Sequence, residues 1–175
     1  MNDDKLARDL AAVATLRGSF LLRSGTIADT YFDKYRFEGD PALLRRLADA
    51  MLALVPAETQ VLAGLELGGV PIATAMSLAS GLPAVFVRKQ AKDYGTCLAV
   101  EGGEVTGKRV LLIEDVITTG GAIADAVPLV RAAGAEIIGV ACAIWRGQGA
   151  PHVAGVPGLP VSAAFTRADL EGVAG

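Results

Sequence analysis

Between Val61 and Trp145, short apolar runs alternate with stretches of helical periodicity: VLAGL, PIATAMSLAS, PAVFVR, VLLIED, AIADAVPLVRAAG and IIGVACAIW. Strands joined through helices lie parallel, because a parallel pair needs a long crossover, so this rhythm predicts an α/β fold with a mostly parallel central sheet flanked by helices. A further helix is predicted from Asp40 to Pro56: Asp40 is placed to cap, Pro41 suits the first turn, and Leu43, Leu44, Leu47, Met51 and Leu52 recur at helical spacing. Pro128 falls inside the helical stretch after Gly121, where it removes a donor, and predicts a kink or break there. No repeat, low-complexity segment or linker divides the chain, and 175 residues suit a single domain, 1–175.

In such a sheet, ligand groups gather beyond the carboxyl ends of the strands. Three exits stand out: Glu66 to Val70, Arg88 to Cys97, and Glu114 to Gly121. The last belongs to VLLIEDVITTGGA, an apolar strand that runs out in two carboxylates, two threonines and two glycines. An unpaired carboxylate is costly to bury, so a pair at a strand end more often faces a ligand than a core. Thr118 to Gly121 lead into a helix, where unpaired first-turn amides and small residues suit a phosphate monoester, while Glu114 and Asp115 suit vicinal hydroxyls. The plainer reading of the same residues is a threonine cap beside solvated carboxylates. For Arg88, Lys89 and Lys92 the alternatives are a loop that closes over an anion and a solvated charge run. Arg146 is either a fork for a carboxylate or a strand-end arginine in solvent, and Tyr31 and Phe32 are either core or the wall of a planar ligand.

Several classes are set aside. A formal net charge of −3 does not suit non-specific nucleic-acid binding. Gly102 to Lys108 imitates a P-loop, but Arg109 stands where Ser or Thr is required and the segment precedes a strand, so it reads as a turn. Cys97, Cys142 and His152 do not assemble a zinc site or a Cys/His pair; Cys142 reads as core and His152 as a solvated loop residue. The N-terminus, MNDDKLARDL, lacks the pattern of a signal peptide, and Ile137 to Trp145 is too short to span a bilayer, so a cytoplasmic protein without membrane association is expected.

VLLIEDVITTGGA as a whole resembles the signature of the type I phosphoribosyltransferases, whose loop holds the 5-phosphate of phosphoribosyl pyrophosphate (PRPP). Three further blocks, FLLRSGTIADTYFDKYRF (Phe20–Phe37), GLELGGVPIA (Gly64–Ala73) and VRKQAKDYGT (Val87–Thr96), are similar to those members of the family that use orotate as acceptor. The resemblance implies the type I phosphoribosyltransferase fold, with a small N-terminal hood over about residues 1–40. It implies transfer of the phosphoribosyl group of PRPP to orotate, giving orotidine 5-monophosphate and pyrophosphate in pyrimidine (UMP) biosynthesis, without a covalent nucleophile. The alternatives are transfer to a purine base, or a PRPP-sensing regulator without turnover.

Residue by residue, the resemblance implies PRPP contacts from Glu114, Asp115, Val116, Ile117, Thr118, Thr119, Gly120, Gly121, Ala122, Gly68 and Gly69. Orotate contacts are implied for Arg23, Tyr31, Phe32, Thr118 and Arg146, and catalytic roles for Arg88, Lys89, Lys92 and Asp115. Magnesium (Mg2+) is implied as cofactor, held mainly by PRPP and water rather than by protein side chains. A homodimer is implied in which Lys92 reaches into the neighbouring site. The chain departs from the family pattern at Tyr94, where many members carry histidine, at Gly68, where some carry lysine, and at Arg23, which is lysine in several relatives.

Overall fold

The computed structural model describes residues 4–22, 25–90 and 98–172. Its central feature is a six-stranded sheet of β3 (Val61–Leu65), β4 (Ala84–Val87), β5 (Val100–Glu101), β6 (Arg109–Ile117), β7 (Glu136–Trp145) and β8 (Val161–Thr166), in the order β5-β4-β3-β6-β7-β8. The β4–β5 pair is antiparallel and the others are parallel, as the alternation of runs predicts.

The continuous apolar character of β6 follows from burial on both faces. Leu111 and Ile113 point into a core shared with α1 (Asp4–Ala14), α3 (Pro41–Leu52) and α4 (Gly69–Ser80). Val110 and Leu112 point into a second core with α5 (Gly121–Ala132). Asp40 caps α3, its Oδ1 accepting from the amides of Ala42 and Leu43 at 2.9 and 3.0 Å. The helix ends at Leu52, ahead of the predicted stop at Pro56.

At the N-terminus, β1 (Thr15–Leu21) and β2 (Ile27–Phe32) form an antiparallel hairpin, followed by the single turn α2 (Tyr35–Glu38). Within the span read as a hood, α1 is part of the main body: Leu6, Leu10 and Ala14 are buried in the core shared with α3. Helix α6 (Arg167–Glu171) closes the described chain with a capping box between Thr166 and Asp169.

The break predicted at Pro128 is absent. Helix α5 runs from Gly121 to Ala132 undivided at Pro128. The proline costs the bond to the Ala124 carbonyl, and burial of Ile123, Ala126, Val127 and Val130 on the sheet outweighs that loss. The P-loop look-alike is a turn between β5 and β6, as its sequence context predicts.

Candidate functional site

The carboxylates of the signature do not stand where the strand runs out. β6 continues to Ile117, and Glu114 and Asp115 are 7% and 1% exposed. Pleating sends the two neighbours to opposite faces: Glu114 lines a cavity on the α5 side, whereas Asp115 turns toward α2 and the start of α4. The sequence pattern suggested a strand end because it places charges there; the backbone pairing of β6 with β7 persists beyond them, through Ile117 and Trp145.

The cavity that Glu114 lines measures about 600 Å³ and opens at the carboxyl ends of β3, β4 and β6. It gathers Arg88, Lys89, Glu114, Val116, Ile117, Thr118, Thr119, Gly120, Gly121 and Ala122 from the predicted set, and adds Glu66, which the sequence marked only as the start of a strand exit, and Asp125, which it did not single out. Gly120 caps α5 with φ 80°, a left-handed conformation that favours glycine, and a Cβ there would meet Val153 at 3.0 Å. This turn aims the first-turn amides of α5 at the cavity, between the exposed Thr118 and Thr119. On the opposite wall Arg88 Nε is buried without a hydrogen-bond partner among the described residues. Glu66 accepts from the Lys89 amide at 2.6 Å and so joins the glycine turn to the root of the basic loop. A floor of amides and threonine hydroxyls thus faces two cations, with the carboxyl groups of Glu66, Glu114 and Asp125 in the same lining.

Gly68 and Gly69 do not line this cavity; both are buried at the start of α4. A Cβ on Gly68 would overlap the Asp115 carboxyl group, and one on Gly69 would collide with the Ile113 carbonyl. Their small size lets α4 approach β6 closely, with the Asp115 side chain filling the space beside Gly68.

Around Asp115 lies a group of charges invisible in the motif. Lys34 Nζ is 2.5 Å from Asp115 Oδ2, and Asp115 Oδ1 accepts from the Val116 amide at 2.5 Å. Burial opposes the charge of Asp115, yet hydrogen bonding from Glu114 and the Lys34 ammonium hold its carboxyl group below the ordinary value. Burial, followed by the hydrogen bond and charge of Asp115, pushes Glu114 up, and burial with the Asp115 charge lifts Glu38 to about 8. Lys34 is held above its usual value against desolvation by the hydrogen bond and charge of Asp115. Cys142, behind the acidic pair on β7, is pushed by burial and then by the Glu114 charge to about 12, and is core as expected.

A second cavity, about 420 Å³, lies on the hairpin side and collects Tyr31, Phe32 and Arg146 together with Thr30, Arg167 and Glu171. The Arg146 guanidinium sits 4.9 Å over the Phe32 ring, a cation–π contact that orients its fork. Burial, then the Arg167 charge, lowers the pKa of Arg146. Arg167 itself pairs with Glu171 at 2.6 Å. The Arg146 amide donates to the Ile117 carbonyl at 2.8 Å, so the ends of β6 and β7 stand between the two cavities. Arg167 and Glu171 follow β8, a strand whose weak pattern VSAAFT gave no signal. His152 is exposed as expected, with its ring edge-on to Trp145 at 5.5 Å. Arg23, Lys92, Tyr94 and Cys97 lie outside the described residues.

Comparison with known proteins places this geometry. The profile of the phosphoribosyl transferase domain family matches residues 40–157. An orotate phosphoribosyltransferase of Nocardioides sp. is 55% identical over 97% of this chain and 94% of its own length. The crystal structure of the Mycobacterium tuberculosis orotate phosphoribosyltransferase in complex with Fe(III) dicitrate superposes with a TM-score of 0.85 at 36% identity, covering 95% of this chain and 97% of that one. The same enzyme in complex with PRPP gives 0.81 at 33% identity, covering 96% and 98%.

Proposed function

The chain belongs to the orotate phosphoribosyltransferases of the phosphoribosyl transferase domain family, and from that premise we infer how its two cavities divide the reaction. The protein is a pentosyltransferase that joins the phosphoribosyl group of PRPP to orotate, releasing pyrophosphate, in pyrimidine biosynthesis. In this reading the 600 Å³ cavity takes the donor. The 5-phosphate rests on the amides that open α5 and on the Thr118 and Thr119 hydroxyls, Glu114 accepts from ribose hydroxyls, and Asp115 fixes that carboxyl pair from behind. Arg88 and Lys89 stand over the pyrophosphate, with Lys92 assigned to the same loop.

The 420 Å³ cavity takes the acceptor, with Phe32 and Tyr31 as its aromatic wall and Arg146 meeting the orotate carboxylate. As the C1–oxygen bond to pyrophosphate breaks and the N1–C1 bond forms, positive charge grows on the sugar, and the proton on N1 passes to the departing pyrophosphate or to water. Negative charge collects on the leaving group, beside Arg88, whose buried Nε has no hydrogen-bond partner among the described residues. Holding both reactants on one rigid strand-end scaffold converts a bimolecular encounter into an oriented one.

Magnesium belongs to the same proposal. In this reading the ion would be carried mainly by PRPP oxygens and water; among the described residues no group of three or more His, Cys, Asp or Glu side chains is placed to hold a metal ion. Bound to PRPP, it neutralises pyrophosphate charge. We also propose a homodimer sharing its sites through Lys92, and a cytoplasmic location; no helix among the described residues is long and apolar enough to cross a membrane.

The observation that carries the assignment of cavities is the pairing of an amide-and-threonine floor with Arg146 across the β6–β7 boundary. The test is base consumption with PRPP and magnesium across orotate, uracil, hypoxanthine, guanine and adenine. Orotate is expected to be consumed far faster than the rest, and a purine consumed in its place overturns the reading.

A further inference from the structure

Two charged residues on the hood side contact the acidic pair from outside the signature. Lys34 ends the turn after β2, directly behind the aromatic wall of the acceptor cavity. That turn is fixed by the Asp33 amide donating to Ala14 O at 2.8 Å and by Asp33 Oδ1 accepting from the Tyr35 amide at 3.2 Å. One turn later Phe37 is fully buried, its ring 6.3 Å from that of Phe32, and it pins α2 to the core. Lys34 and Glu38, four residues apart on one side of this turn, therefore face Asp115 from a fixed support.

Glu38 is 7% exposed, and no donor reaches its Oε1 among the described residues. It and Asp115 Oδ2 border the same point, the place a Cβ on Gly68 would occupy. Two carboxyl groups so placed are compatible only if one carries a proton that the other accepts, and the ammonium of Lys34 decides which one.

We propose that Lys34 and Glu38 are positioning residues for the donor site, holding Asp115 ionised and in a single rotamer so that Glu114, its neighbour on β6, is presented to the sugar. Glu114 Oε1 accepts from the Asp115 amide at 3.0 Å, so the orientation of one carboxyl group is tied to the backbone that carries the other. The same contact links the seating of the hairpin to the donor cavity, because Lys34 follows β2 without an intervening segment. The charged and titratable groups that face the cluster are Lys34, Asp33, Tyr35 and Glu38 from the hood side, Glu114 from β6 and Cys142 from β7.

This proposal rests on the donor assignment made above, and its test separates the two. PRPP binding is measured by calorimetry from pH 8 to pH 6 for wild type, Lys34→Met, Lys34→Arg and Glu38→Gln, with orotate turnover measured in parallel. Lys34→Met is expected to weaken PRPP at least tenfold at pH 8 and further as the pH falls, because Asp115 without its ammonium takes up a proton in a range where the wild type does not. Lys34→Arg keeps the charge and should restore binding to within about threefold of wild type. Glu38→Gln, which imitates the protonated carboxyl group, should bind as wild type does at pH 6. The Michaelis constant for PRPP should rise in Lys34→Met while that for orotate at saturating PRPP stays within about twofold. A Lys34→Met chain with the PRPP affinity and pH profile of wild type overturns the proposal, as does a folded Lys34→Arg chain that binds as poorly as Lys34→Met. A wild type that binds PRPP but does not consume orotate overturns the reaction assignment instead and leaves the comparison of Lys34 variants valid.

Discussion

Replacing Gly68 by alanine tests how tightly the acidic pair is packed. Gly68 has φ −69°, which any residue adopts, so the backbone does not call for glycine. Space does: the new methyl would overlap Oδ2 and Cγ of Asp115 and lie 2.9 Å from Glu38 Oε1. Asp115 then has to turn off its rotamer and leave Lys34. Overpacking by one methyl costs about 1–3 kcal/mol. Orphaning a buried charge costs about 3–5 kcal/mol when nothing relaxes. Lys34 is 33% exposed and regains water as it moves, which brings the expected loss to roughly 2–4 kcal/mol. In a chain of this length that lowers Tm by roughly 4–16 °C. PRPP affinity should fall at least tenfold, read by calorimetry beside thermal unfolding. The double variant Gly68→Ala/Asp115→Ala supplies the control, since removing the carboxyl group makes room for the methyl. Its stability should match that of Asp115→Ala alone, a non-additive cycle. If Gly68→Ala melts and binds like wild type, or if the two substitutions add, the close seat of Asp115 against the glycine turn is refuted.

Three other outcomes are expected. Arg146→Ala should raise the Michaelis constant for orotate by a factor matching roughly 2–5 kcal/mol, with PRPP binding unchanged; an unaltered orotate constant removes Arg146 from the acceptor site. Mixing Lys92→Ala with Asp115→Ala protein under subunit exchange should restore about a quarter of wild-type activity, because half of the dimers regain one of two sites; no recovery after verified exchange argues against shared sites. Cys142 should resist iodoacetamide at pH 8 in the native protein, as peptide mass mapping will show, since its thiol is pushed to about 12 by burial and neighbouring carboxyl charge; rapid labelling would mean that the core behind the acidic pair is open.

The sheet and its crossover helices were legible because β3, β6 and β7 are buried on both faces and read as unbroken apolar runs. That Thr118 to Gly121 line one cavity was legible too, since they are contiguous and their placement depends on backbone geometry that a short motif encodes. Local pattern, however, carries no information about which side of a strand a residue faces once both sides are buried, and so the sequence treated Glu114 and Asp115 as one unit. Nor does it show pairs made across distant elements: Lys34 reaches Asp115 from the hood side, and Glu66 reaches Lys89 from another strand exit. Arg167 was missed because β8 precedes it, a strand of small and polar residues with no distinctive period. The break expected at Pro128 is absent for the opposite reason, a local rule overridden by packing along the whole of α5.

The boundary between the two cavities has an evolutionary consequence. On the side proposed for the donor the cavity offers largely main-chain amides, which no point substitution can exchange, and a glycine turn that replacement distorts. The side proposed for the acceptor is lined by side chains, among them Tyr31, Phe32, Arg146 and Arg167, which substitution can exchange one at a time. A lineage built on this scaffold can therefore keep the sugar donor as a fixed inheritance while trying one nucleobase after another, and a laboratory seeking new nucleotides should randomise the hairpin and the ends of β7 and β8 while leaving the chain from Glu114 to Ala122 untouched.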